Sequence, residues 1–378
     1  MDDESVQRFE FAAQAAKPSV VKTEVAGAKK TMPVAALVCE WLLTRQVAMT
    51  FVAVLLFSFF SIAAKNFLSV SNLLDIARGS AFIGIVAVAW TYLLIAGELD
   101  LSVGASYGLG TILMGWLIAG VGLNPWLAGI LILLYGVLVG LVNGFITVYV
   151  GVRAFVVTLG MLSFLRGAAL TICGNFPISY PRDLHSSLFL LGGGSFGVIP
   201  AQVLWFLAWA FIGSVILRRT KFGYWVYATG GNESAAREMG IPTNLIKLIT
   251  FILVGFSCAL IAVLQGAWLR TASPSTGSGF ELQVIGAVLI GGASLSGGDG
   301  SVYGTLVGAA ILGMVTNGLV LLGFPPASDL LVSGAIIVGA GTTDAVLRRA
   351  GGRVSGKRRS FPEKDVGRGL TNKTATKR

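Results

Sequence analysis

Long apolar runs alternate with short polar breaks along most of the chain. A helix that crosses a bilayer needs about 20 mostly apolar residues. Such runs lie at 47–64, 79–96, 102–121, 126–150 and 155–173. After a longer break they resume at 203–217, 248–268, 282–292, 303–322 and 330–347. The eighth, 282–292, is too short to cross alone. It needs the glycine-rich stretch 291–300 to complete it, so a broken or re-entrant segment is expected there. The pattern predicts an all-α polytopic membrane protein of about ten transmembrane helices with a short or broken eighth. Residues 1–46 read as an N-terminal tail, 47–348 as the transmembrane domain and 349–378 as a basic C-terminal tail. Ten spans of this length use about 200 residues, which leaves no room for a large soluble domain.

Composition supports the membrane reading. Only 12% of the 378 residues are charged and 54% are hydrophobic, where soluble domains carry about 25% charged residues. The mean hydropathy is +0.79. Fifty glycines suit close helix approach in a bilayer. Cys39, Cys173 and Cys258 lie far apart without CxxC spacing, and His185 is the single histidine. No metal site or disulfide framework is expected from these. The first 46 residues lack the basic-then-apolar order of a signal peptide.

Charge sets orientation, because cytoplasmic segments are enriched in Lys and Arg. Residues 1–45 hold six of them, 218–247 hold five and the tail from Arg348 holds eleven, so three segments carry 22 of the 28. Ten spans place all three on one side, which makes both termini cytoplasmic. The loop 175–202, with Arg182 its one basic residue, falls outside. The tail supplies the net charge of +10. Its aromatic content stops at Phe361, so a lipid-facing role fits it better than nucleic-acid binding.

One polar stretch is organised. "GGNESAAREMGI" at 230–241 reads as a short cytoplasmic helix. Asn232 suits an N-cap and Glu233 the positive end of the helix dipole. Ala235 and Ala236 are strong helix formers. Gly240 and Pro242 end it. A helix of this length is marginal in water and needs a partner surface. Ala235, Ala236 and Met239 are expected on one face, as a small apolar knob. Residue types leave two readings open: a knob for another protein, or a connector packed on its own chain.

The stretch resembles the coupling loop of ribose-type sugar permeases of bacterial ABC importers, a family shared with branched-chain amino-acid permeases. Tyr227, Ala228, Gly230, Gly231, Asn232, Ala235, Ala236, Gly240 and Ile241 fit that pattern. The resemblance extends, in order, to "GELDLSVGA" at 97–105, "VTLGMLSFLRGAAL" at 157–170, "IGAVLIGGASLSGGDGSVYGTLVGA" at 285–309 and "NGLVLLG" at 317–323. It implies a bacterial inner-membrane permease that pairs with a second permease copy. A periplasmic sugar-binding protein would deliver the solute to the outer loops 175–202 and 270–281. A separate ABC ATPase subunit would bind ATP and dock on Gly231, Asn232, Glu233, Ala235, Ala236, Arg237, Met239 and Gly240. The chain has no G-x-x-x-x-G-K-[ST] loop of its own. No catalytic residue and no bound cofactor are expected.

Polar residues within the apolar runs are candidates for the solute path: Glu98, Asp100, Ser102, Asn143, Thr158 and Asn317. Charges at bilayer depth are costly and mark pathways or partners. Asp100 or Ser102 also suits the cap of the next helix. Glu98 stands where relatives usually carry a small residue, and either tunes the solute or pairs with a base. Asn143, Thr158 and Asn317 suit interhelical hydrogen bonds as well as a hydrophilic path. Arg166 is expected near the outer end of its run, snorkelling or meeting an acid. The glycines of 291–300 offer backbone groups to a passing sugar.

The functional expectation is the permease of an ATP-driven importer for a monosaccharide or related polyol. The rival is an ion-coupled secondary transporter with Glu98, Asp100 and Asp344 as ion sites.

Overall fold

The computed structural model describes residues 45–181, 184–325, 327–339 and 342. Both expected tails, apart from Arg45 and Gln46, and Asp344 lie outside the described residues. The described chain is almost entirely helical. Helix α1 spans Arg45–Ala63 and α2 spans Val70–Ile95. Helix α3 (Val103–Gly115) continues as a π-helical turn, Trp116–Gly120. Helix α4 (Pro125–Phe145) likewise continues through Ile146–Val150, and α5 spans Ala154–Cys173. The outer loop carries the short α6, Ser187–Gly193. Then come α7 (Ala201–Arg219), α8 (Lys221–Gly231), α9 (Glu233–Glu238) and α10 (Thr243–Leu269). The chain closes with α11 (Phe280–Ile290), α12 (Val302–Leu321) and α13 (Ser328–Gly339).

Among the described residues, seven helices are long and apolar enough to cross a bilayer: α2, α3 with its π turn, α4 with its π turn, α5, α7, α10 and α12. Three shorter apolar helices occupy the first, eighth and tenth expected runs. The fold is therefore an all-α polytopic membrane protein. Four two-residue strands supply the little sheet present. Strand β1 (Ile178–Ser179) pairs antiparallel with β4 (Thr271–Ala272), and β2 (Ser195–Phe196) with β3 (Ile199–Pro200).

Helices α2 and α10 form the centre. Trp90, Leu93, Ile95, Phe251, Val254 and Ile261 are fully buried. Helix α10 lies against α4 with almost no side chain between them. A Cβ on Gly136 would sit 2.4 Å from the Gly255 carbonyl oxygen, and one on Gly255 would sit 2.1 Å from that of Gly136. Only glycine permits this approach, which replaces a hydrophobic driving force with backbone packing. Polar bonds add register: the Thr91 and Thr305 hydroxyls meet at 2.6 Å, and the Tyr92 hydroxyl donates to the Gly213 carbonyl. The outer belt is apolar and exposed, as a lipid-facing surface must be, with Phe51, Ile62, Leu134, Leu138 and Phe211 on it.

The eighth segment departs from a simple span. The glycine-rich stretch was expected to complete it, yet the outer half is built by residues 273–279, which precede α11. These follow α3 inward from the strand pair. Ala272 packs at Gly115, the Thr276 carbonyl at Gly108 and the Gly277 carbonyl at Gly104. Eleven helical residues separate Gly115 from Gly104, a descent of about 16 Å. Residues 270–281 are therefore not an outer loop throughout, as they were expected to be. They form an irregular strap that reaches bilayer depth, where such backbone survives only against protein or a cavity.

Candidate functional site

The short polar helix α9 forms as its caps dictate. Asn232 takes an extended conformation, and its side-chain oxygen accepts from the Ala235 amide at 3.1 Å. Gly240 is left-handed, and the Ile241 amide donates to the Ala236 carbonyl at 3.0 Å. At six residues, α9 needs external anchors. Arg237 donates to Glu233 (2.6 Å), Thr243 (2.8 Å) and Asn244 (2.7 Å), which ties α9 to the first turn of α10.

Lys247 makes the longer link. Its ammonium lies 2.8 Å from Glu98 and 2.8 Å from Glu233, so one cation joins α9, α10 and the loop that follows α2. Lys247 is 12% exposed and Glu98 17%, so this link is shielded from water. Burial pushes the Glu233 carboxyl up, but the bonds from Lys247 and Arg237 outweigh it and hold Glu233 below its ordinary value. Glu98 therefore pairs with a base, the second of its two expected roles. It is joined through Lys247 to the short helix α9.

The three-residue knob is corrected in one respect. Ala235 and Met239 are exposed, Met239 at 81%, while Ala236 is buried against its own chain. Tyr224 and Trp225 on α8, which packs against α9, and Leu245 on α10 are also exposed. The outward apolar surface is thus wider than the alanine pattern suggests and omits Ala236. Behind it lies a joint made of backbone. A Cβ on Gly230 would lie 1.6 Å from the Ile95 carbonyl oxygen, and the Gly298 amide donates to that same oxygen at 2.9 Å. The Tyr227 hydroxyl donates to the Gly300 carbonyl at 2.7 Å. The glycines at 297 and 298 therefore pack at the junction of α2 with α8.

Asp100, Ser102 and Asn143 come together and are all buried. One carboxylate oxygen of Asp100 accepts from the Ser102 amide (2.7 Å) and hydroxyl (2.6 Å). The Asn143 amide donates to the other (3.3 Å) and to the Ser102 hydroxyl (2.9 Å). Burial raises the Asp100 carboxyl, and these bonds pull it back. The cluster braces the turn that enters α3 and fastens it to α4, without the side-chain cap expected of Asp100 or Ser102. Thr158 is buried too, and its hydroxyl donates to the Ala154 carbonyl at 2.8 Å within α5. Asn317 is half-buried, with its side-chain oxygen unpartnered. Asp100, Ser102, Asn143 and Thr158 are thus held by hydrogen bonds within the fold, and Glu98 and Asp100, two of the three acids of the ion-coupled reading, are likewise engaged.

The strap carries the polar surface that the path residues do not. It follows the run "TASPSTGSG", five hydroxyl residues in nine. Ser275 and Ser278 are exposed at bilayer depth. Arg166 on α5 donates to the Thr276 carbonyl at 2.8 Å, so it meets the strap backbone, and it forms no ion pair among the described residues. Gln283 donates to Asp329 at 2.8 Å, joining α11 to α13. Helix α5 itself is open: 22% of its apolar stretch is buried, against 72% for α3. Gly160, Ser163, Gly167 and Thr171 are exposed at one-turn intervals along it.

A many-helix membrane body with a capped, anchored short helix and a polar break in one span fits a transport permease. The family described as "Branched-chain amino acid transport system / permease component" matches residues 72–341, and the chain belongs to it. The ribose import permease protein RbsC of Escherichia coli strain K12 is 35% identical over 74% of this chain and 87% of its own length. That of Bacillus subtilis strain 168 is 35% identical over 74% and 86%. The autoinducer 2 import system permease protein LsrC of Escherichia coli is 31% identical over 81% and 88%. All are named as permeases, a transport component and not an enzyme.

Proposed function

We propose that the chain is the inner-membrane permease of an ATP-driven importer that carries a monosaccharide or related polyol into the cytoplasm. The carrying observation is the hydroxyl-lined strap at bilayer depth, beside the open face of α5. A polyol leaving water gives up many hydrogen bonds, and each unmade bond in an apolar setting costs about 1–3 kcal/mol. Ser275, Ser278 and Arg166 replace those bonds in passing. Relatives named for ribose import support the solute class. A second permease copy would cover the open face of α5 and turn the strap into the wall of a closed path. A periplasmic binding protein would load the solute at the outer face, and selectivity would rest largely with it.

Energy comes from outside the chain, through a separate ABC ATPase that docks on Ala235, Met239 and the neighbouring exposed apolar residues. Movement of α9 passes through Lys247 to the loop after α2 and through Gly230 to the glycine joint. Uptake of labelled ribose by the intact transporter tests the reading. Ser275→Val with Ser278→Val is expected to cut uptake about 30-fold, from two bonds of roughly 1 kcal/mol each, while the ATPase still co-purifies. Unchanged uptake would remove the strap from the path. Proton-linked uptake by a chain free of any ATPase would overturn the importer itself.

A further inference from the structure

We propose that the crevice between α7 and α12 seats one anionic phospholipid of the inner leaflet. The crevice encloses about 440 Å³. Its walls are graded: Leu207, Phe211 and Leu306 are apolar, and Ser214, Arg218 and Tyr303 are polar. On α7 the lining residues fall one turn apart, so they form a single stripe along one helix face. From Leu207 to Arg218 the stripe runs about 16 Å, which matches the roughly 15 Å hydrocarbon half of a bilayer. The polar end lies where α7 leaves the membrane for α8 and α9.

Charge selects the occupant. Arg218 and Arg219 close the last turn of α7, and Lys221 follows; all three are exposed and make no ion pair among the described residues. No acidic residue lines the crevice. The Tyr303 hydroxyl, shared with Thr50 of α1 at 3.1 Å, stands at the same end. A guanidinium and a hydroxyl at headgroup level, below an apolar slot of one leaflet's depth, suit a phosphate that carries acyl chains. Basic residues alone would serve topology. The slot in line with Arg218 is what topology does not require. A lipid seated there packs against the helix that leads into the coupling arm, so the arm's base would depend on lipid charge.

Native mass spectrometry of the transporter from nanodiscs of phosphatidylglycerol and phosphatidylcholine tests this. Wild type is expected to keep one phosphatidylglycerol per permease chain under activation that strips phosphatidylcholine. Arg218→Gln, which removes the cation, and Ser214→Phe, which fills the slot and keeps every charge, should each reduce retention at least tenfold. Lys221→Gln, outside the slot, should retain the lipid. Equal retention in all four proteins overturns the proposal. So does equal loss in Lys221→Gln and Arg218→Gln, which marks general surface attraction. Retention in Ser214→Phe alone moves the lipid elsewhere, and dimer dissociation at constant lipid count would assign the crevice to a second copy. None of these readouts depends on which solute is carried.

Discussion

Replacing Lys247 by methionine leaves Glu98 and Glu233 facing each other without their shared cation. Both carboxylates lie 2.8 Å from one nitrogen, so their oxygens are no more than about 5.6 Å apart, and at an effective dielectric of 20 their repulsion is about 3 kcal/mol. Glu233 is 37% exposed, so solvent screens part of that, and about 2 kcal/mol remains. Glu98 is the more buried partner and bears most of the penalty of an unpaired charge. Two kcal/mol is roughly a 30-fold change in the population of anchored α9. Hydrogen exchange on a peptide covering 233–241 reads this directly. Lys247→Met is expected to speed exchange about 30-fold and to depress uptake while ATP hydrolysis continues. Adding Glu98→Gln removes the repulsion and should restore most of the protection. Exchange within twofold of wild type in Lys247→Met would refute the link.

Three further outcomes follow from the same geometry. Ala235→Trp should prevent an ATPase from co-purifying while the chain still inserts, whereas Ala236→Trp should disrupt α9 itself, as circular dichroism and exchange would separate. Glu233 is held below its ordinary value of 4.5, so its contribution is present above that value and lost as pH falls through the lower folded one; the protection factor of α9, exchange divided by its intrinsic rate at each pH, should stay constant from about pH 8 to pH 5, and release near pH 6 would contradict the ion pairing. Gly136→Leu drives a side chain into the α10 backbone and should lower thermal stability in detergent by about 3 kcal/mol or abolish folding, with an unchanged melting temperature as the contrary result.

The periodic runs located the membrane helices because bilayer hydropathy is the strongest signal a chain carries. Edges moved where polar side chains extend a helix. Helix α2 starts at Val70 because the Ser69 hydroxyl accepts from the Asn72 amide, and the Asn72 side chain donates to the Phe67 carbonyl. Helix α9 was legible from Asn232, Gly240 and Pro242 alone, since caps act locally. The face of Ala236 was not, because burial depends on how α9 is set against the neighbouring α8 and α10, which local caps do not determine. Asp100, Ser102 and Asn143 stood out as a polar set, but residue type does not separate a cap from a path. The strap escaped notice because hydropathy marks "TASPSTGSG" as a loop. Its depth comes from Gly104, Gly108 and Gly115, on a helix about 170 residues earlier in the chain, and the serine-rich run beside an 11-residue helix was the one available hint.

That strap bears on how the protein is made. Helix α11 covers about 16 Å, half the distance a spanning helix needs. Serines and glycines in front of it give the segment little reason to leave the translocation channel for lipid. Its irregular backbone needs the glycine face of α3 to pack against at bilayer depth. The eighth segment therefore joins the membrane as part of an assembled group, after α3 is in place. Synthesis order supplies this, since α3 emerges first. A defect at Gly104 or Gly108 would then surface during biogenesis, as inverted or retained α12 and α13, before any transport could be assayed.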